Sequence, residues 1–93
     1  MSAAIQVERE KEGVFRVRVR EADTTTSHIV TVRPEYLQKL TRGSVAAEAL
    51  VRRSFEFLLE HEPKESILAE FDLAVIQRYF PGYEQEIRRR FTG

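Results

Sequence analysis

Residues 14–20 read Val-Phe-Arg-Val-Arg-Val-Arg, with apolar and cationic positions alternating strictly from Phe15 onward. A period of two sends successive side chains to opposite faces. Phe15, Val17 and Val19 therefore share one face of a strand, and Arg16, Arg18 and Arg20 share the other. A weaker alternation over residues 4–10 predicts a strand ahead of it. Same-face residues sit opposite each other, so Val7 pairs with Val17 and Ile5 with Val19, which puts Glu8 opposite Arg16 and Gln6 opposite Arg18. That register leaves a three-residue loop, 11–13, ending on Gly13, the form of a type I turn followed by a left-handed glycine.

Residues 21–27, Glu-Ala-Asp-Thr-Thr-Thr-Ser, read as a polar connector. They lead to a third strand at 28–33, antiparallel to the second. Its facing stays open, because Val30 and Val32 compete with Ile29 for the core and Thr31 suits either side. At Pro34 the rhythm turns helical. Proline fits a first helical turn, where a missing N–H costs nothing, so 35–40 is a short helix that Gly43 ends. Ser44 is positioned to cap the principal helix, 45–61. Ala47, Leu50, Val51, Ser54, Phe57 and Leu58 form its inward stripe, while Phe55 and Leu59 widen the apolar arc beyond what one sheet needs. A further helix or a second subunit is expected to cover those two. Pro63 breaks the run. Leu68, Phe71, Val75 and Tyr79, flanked by Ile67 and Ile76, predict another helix over 67–79, with Asp72 capping a restart within it. Pro81-Gly82 stops that element, and 83–91 reads as a terminal helix whose early Glu84 and Glu86 and late Arg88, Arg89 and Arg90 match the helix dipole. The expected fold is α+β: a three-stranded antiparallel β-meander at 4–33, then a long helix and C-terminal helices within 34–91, packed on one face of the sheet. One domain, 1–93, holds both parts.

Composition narrows what such a domain does. A chain of 93 residues has a modest core, and supplements come from disulfides, a metal or a partner subunit. There is no cysteine, which removes the first and the commonest zinc site. Homodimerisation remains. Fifteen basic residues balance fifteen acidic ones. Divided at Pro34 and Pro63, the segments carry six basic and five acidic, four and five, and five and five residues. No segment has a net field for nucleic acid or an anionic membrane. No apolar run is long enough to span a bilayer. The start, Met1-Ser-Ala-Ala-Ile, lacks the charged and apolar regions of a signal peptide, so a cytoplasmic location is the default expectation.

Catalytic chemistry finds little support. His28 lies in a predicted strand and His61 at a helix end, and neither is placed beside a nucleophile and an orienting acid. Glu60, His61 and Glu62 are consecutive, so they do not share a helix face as metal ligands would. The four glycines form no phosphate cradle. No catalytic residue, metal or cofactor is expected. Two surfaces are candidates for contact. The ladder of Arg16, Arg18 and Arg20 offers guanidinium forks to phosphates, although Glu8 and Glu10 are placed to neutralise it and no aromatic residue interleaves with it. The second surface gathers Phe55 and Leu59 with the corner formed by Tyr79, Phe80 and Tyr83, where exposed aromatics would make an interaction hot spot. The three terminal arginines fan out around a helix rather than forming one patch.

The stretch Ser54-Phe-Glu-Phe-Leu-Leu-Glu-His-Glu-Pro-Lys-Glu-Ser-Ile-Leu, followed by Phe71-Asp-Leu-Ala-Val-Ile-Gln-Arg-Tyr-Phe-Pro-Gly-Tyr-Glu, is similar to a family of small bacterial proteins of about this length. The upstream Thr-Thr-Thr-Ser-His-Ile-Val-Thr-Val also resembles theirs. The resemblance implies a bacterial origin and a stand-alone small protein, and it carries over no activity. A ribbon-helix-helix regulator fits poorly, since two strands precede a helix as short as 35–40. Small antitoxins with a sheet-and-helix body are closer in outline, by analogy of fold alone. The expected function is a non-catalytic protein-interaction or adaptor domain, homodimeric in one form. The alternative is an antitoxin-like regulator binding nucleic acid through the arginine ladder, and a small enzyme comes third.

Overall fold

In a computed structural model, which describes residues 3–92, the alternating segment forms the second strand of a four-stranded sheet. The first three strands are β1 (Ala4–Lys11), β2 (Val14–Glu21) and β3 (Thr24–Thr31), each antiparallel to the next. Val7 pairs with Val17 and Ile5 with Val19, and Glu8 stands opposite Arg16. The register shifts between Arg9 and Lys11, and Gly13 takes φ +77° in the turn. Lys11 pairs with Val14, so only Glu12 and Gly13 lie between the strands rather than the three residues expected, and one extra residue in β1 makes a bulge beside the left-handed Gly13. Gly13 also holds β3, because its carbonyl accepts from the Val32 N–H at 2.7 Å. A Cβ there would lie 3.2 Å from the Val32 carbonyl.

The polar segment 21–27 is a strand, not a connector. Only Ala22 and Asp23 turn the chain, and β3 begins at Thr24. Ala22 has φ +54°, which puts an alanine where tight hairpin turns usually place glycine. The threonines 24–26 then pair with residues 19–21. Facing is settled by this longer strand: His28, Val30 and Val32 are buried, and Ile29 is on the opposite, partly exposed face. Phe15, Val17, Val19 and Val30 are each at or below 1% exposure. Complete burial of each contributes on the order of 1.5–3 kcal/mol, which sets the inner face.

Pro34 opens α1 (Pro34–Thr41), and Arg42 at φ +55° and Gly43 at φ +77° close it. Ser44 belongs to this terminus. Its hydroxyl donates to the Thr41 carbonyl at 2.6 Å, and the cap of α2 (Ala47–His61) is Ala46, with no side-chain bond. Leu50, Val51, Ser54, Phe57 and Leu58 of α2 are buried as predicted, and so is Phe55.

The region 67–79 corrects the predicted helix. A single 3-10 turn, Lys64–Ser66, follows Pro63, and the chain then bends at Ile67 and Ala69 before entering β4 (Glu70–Asp72). This fourth strand lies parallel to β3, with Phe71 beside Val30. The sheet is therefore mixed rather than purely antiparallel. The physical reason is the open edge of β3, whose backbone groups need partners. Ile29 N–H donates to the Ala69 carbonyl at 2.8 Å, and the pairing continues through Asp72. Buried Phe71 and Leu73 with half-buried Asp72 between them keep a period of two, which the helical spacing of Leu68, Phe71 and Val75 conceals. Asp72 does cap the restart: its Oδ1 accepts from the Ala74 N–H at 2.9 Å, ahead of a 3-10 turn, Leu73–Val75, and α3 (Ile76–Tyr79). The last helix, α4 (Tyr83–Thr92), follows Pro81-Gly82. Among the described residues the fold is thus α+β, with four strands and four helices.

Candidate interaction surface

Three anchors build a ridge and a groove at the C-terminal end of α2. The first is His28. Its Nδ1 lies 2.8 Å from the Leu68 carbonyl, which can only accept, so Nδ1 carries the proton. Nε2 lies 2.8 Å from the Thr26 hydroxyl, and the ring packs 5.4 Å from that of Phe55. This buried imidazole fixes the backbone at Leu68. The Leu68 side chain is left 47% exposed. The second anchor is Lys64, which is buried with its ammonium 2.7 Å from Glu65 and 3.8 Å from Glu21, tying the 3-10 turn to the end of β2. The third is Gln77. Its amide donates to the Pro81 carbonyl and its Oε1 accepts from the Glu84 N–H at 2.9 Å, so one side chain clamps both sides of the 79–83 corner. Tyr79 projects from that corner at 66% exposure.

Between Leu68 and Tyr79 runs a groove of about 310 Å³, floored by Leu58, Ile67, Phe71 and Ile76 and bounded by Phe80. Among the described residues, the one carboxylate lining it is Glu62. Burial pushes the Glu62 carboxyl above its ordinary range, against a smaller opposite pull from the charge of His61. Glu62 has no ion-pair partner among the described residues. Across the Tyr79–Phe80 ridge lies a shallower hollow lined by Phe57, His61 and Pro81. The His61 ring packs at a tilt, its centroid 4.5 Å from that of Phe57 and 5.2 Å from that of Phe80. Arg90 spans this hollow's edge, with its guanidinium 5.9 Å from the Phe57 ring and bonded to Glu60 at 2.8 Å and Glu86 at 3.1 Å.

Of the five apolar residues nominated from the sequence, the fold brings Tyr79 and Phe80 to this groove. Phe55 and Tyr83 are fully buried. Phe55 sits between His28 and Phe71, so the cover it required is β4 of the same chain. Tyr83 reaches Ser54, with its hydroxyl 2.6 Å from Oγ. Leu59 is half-buried elsewhere, near Ile5 and Arg52. Leu68 was missed because helical spacing made it one of a stripe, and only the β3 edge shows that its backbone, not its side chain, is held inside.

The arginine ladder lies on the outer face of the sheet. Arg16 donates to Glu10 at 2.8 Å and Arg18 to Glu8 at 3.0 Å, one step diagonal to the strict register. The Arg16 guanidinium holds the Glu10 carboxyl below the usual carboxylate range. Arg20 is exposed and has no ion pair among the described residues. Of the terminal arginines, Arg89 bonds Glu86, and Arg88 donates to the Lys39 carbonyl at 3.3 Å.

The ring nitrogens of His28 meet Thr26 and Leu68, and the exposed His61 packs its ring against Phe57 and Phe80. Among the described residues no three His, Cys, Asp or Glu side chains gather to hold a metal ion. No described helix is long and apolar enough to cross a membrane. Comparison with known proteins finds no matching family model, no matching curated protein and no matching solved structure.

Proposed function

We propose that this protein is a non-catalytic interaction domain that docks a partner along the groove between Leu68 and Tyr79. One observation carries the reading. The two large apolar side chains exposed among the described residues, Leu68 and Tyr79, border the same apolar groove. Single exposed apolar residues are ordinary on a protein surface, but two flanking a hollow lined by Leu58, Ile67, Phe71 and Ile76 make a contiguous patch. An aromatic residue at such a position is the common anchor of an interface. The anchors behind it support the same reading, because a groove held by His28, Lys64 and Gln77 is formed before a partner arrives.

A photocrosslinking residue placed at position 79, and separately at position 18 on the outer face of the sheet, tests this in cells that produce the protein. A covalent adduct is expected from position 79 and not from position 18, and Leu68→Glu removes it. Absence of any adduct at 79, or equal adducts from both positions, contradicts the proposal.

Nucleic-acid binding through Arg16, Arg18 and Arg20 is the second reading, and the exposed Arg20 guanidinium, without an ion pair among the described residues, is the observation that favours it. Two of the three cations already have carboxylate partners, which weakens the field that phosphates would meet. Filter binding of DNA and RNA at low salt decides it: retention that falls steeply with salt supports the ladder, and no retention removes it.

A further inference from the structure

We infer that the partner in this groove is a second copy of the same chain, joined about a two-fold axis; this rests on the docking reading above and adds the identity of the occupant. A two-fold interface uses one patch on both copies, so that patch must contain both members of each complementary pair. This one does. It carries a projection, Tyr79 at 66% exposure, and beside it a hollow of about 310 Å³. That volume is at the small end of ligand pockets, and the hollow offers few fixed polar groups to orient a metabolite. One aromatic side chain with its neighbours is a better match. In a two-fold pair each Tyr79 enters the hollow of the other copy, and each Leu68 is covered at the same time.

The charges are complementary in the same sense. Glu62 lines the groove, is partly withdrawn from water and has no ion pair among the described residues, and the charge of the adjacent His61 offsets only part of its desolvation. Arg78 lies on α3 next to Tyr79, exposed and likewise without an ion pair among the described residues. The symmetry that exchanges the tyrosines brings one copy's Arg78 toward the other copy's Glu62, twice. A cation there compensates the desolvation that Glu62 already bears. The formal net charge of zero means that two copies do not repel each other at long range. The patch is small, with two exposed large apolar side chains per copy, so the dimer is of the weak, concentration-dependent kind.

Sedimentation velocity from micromolar to millimolar protein tests the inference. The wild type is expected to shift from monomer to dimer over this range. Tyr79→Ala is expected to weaken the dimer at least about tenfold, the effect of losing an aromatic anchor. Glu62→Arg and Arg78→Glu each place like charges together and weaken it. Mixing those two variants restores a heterodimer, because each then supplies what the other lacks. All three positions are exposed or half-exposed, and melting curves verify that the variants fold. A wild type that stays monomeric at millimolar concentration overturns the inference, as does a dimer indifferent to Tyr79→Ala or a mixture that fails to re-associate. If the chain is monomeric while position 79 still crosslinks to a different protein, self-pairing is wrong and the docking reading survives. If position 79 crosslinks to nothing, both are wrong.

Discussion

Removing the Ser54 hydroxyl should cost more than removing the tyrosine hydroxyl it meets. Ser54 and Tyr83 are both fully buried, and their oxygens are 2.6 Å apart. The Ser54 proton is already given to the Leu50 carbonyl at 2.8 Å, so Tyr83 is the donor between them. Ser54→Ala leaves a buried phenol with no acceptor, a cost of about 1–3 kcal/mol. Tyr83→Phe leaves Ser54 bonded to Leu50 and loses one neutral hydrogen bond, about 0.5–1.5 kcal/mol. The double variant has no orphaned group, so it should be about as stable as Tyr83→Phe alone, with a coupling near 1 kcal/mol or more. Urea unfolding with equal slopes for all four proteins measures the cycle. Additivity within about 0.3 kcal/mol would falsify the reasoning, since the two groups would then not share a bond that docks α4 on α2.

Other consequences are checked more briefly. Gly13→Ala should destabilise by about 1–2 kcal/mol, because an L side chain is strained at φ +77° and its Cβ meets the Val32 carbonyl; chemical denaturation measures it. Ala22→Gly should be neutral or stabilising by up to about 1 kcal/mol in the same assay, since relief at φ +54° is partly offset by the greater freedom of unfolded glycine. Burial is the main cause that raises the phenols of Tyr36 and Tyr83. The unfolded chain therefore releases these protons first, and stability present below the ordinary tyrosine range, near about 10, should fall as pH climbs through and above it. Tyr36→Phe should flatten that alkaline decline in pH-dependent melting curves. Glu10 has the opposite sign: Arg16 holds its folded carboxyl low, so whatever stability it adds is present above the ordinary carboxylate range and is lost as pH falls through the folded value. Glu10→Gln should leave melting at neutral pH little changed, as expected for an exposed pair.

The hairpin was legible because two independent signals coincide in it. Strict alternation at 15–20 sets the faces, and Gly13 sets the turn, so register followed down to Val7 opposite Val17. The inward stripe of α2 was legible for the same reason, a single period over a long element. The start of β3 was hidden by Ala22, which gives no turn signal at a position where glycine would have given one. β4 was hidden because a three-residue strand is too short to show a period, and its placement depends on the open edge of β3 forty residues away. The same gap explains the surface. Tyr79 and Phe80 were found from their own chemistry, whereas Leu68 is exposed on a backbone that His28 and Ile29 hold against β3. Phe55 was misplaced among surface residues because the sequence does not reveal that Phe71 covers it. Local chemistry was readable, and long-range backbone pairing was not.

Hydroxyl-radical footprinting of Leu68 and Tyr79 tests the central claim most directly, with the protein labelled once inside the cells that make it and once purified and dilute. Ile29, half-exposed on the outer face of the sheet, serves as the reference. The account predicts that Leu68 and Tyr79 are oxidised freely in the dilute protein and protected in the cell, while Ile29 changes little. Equal oxidation of Leu68 and Tyr79 in both settings, or protection confined to Ile29, contradicts it.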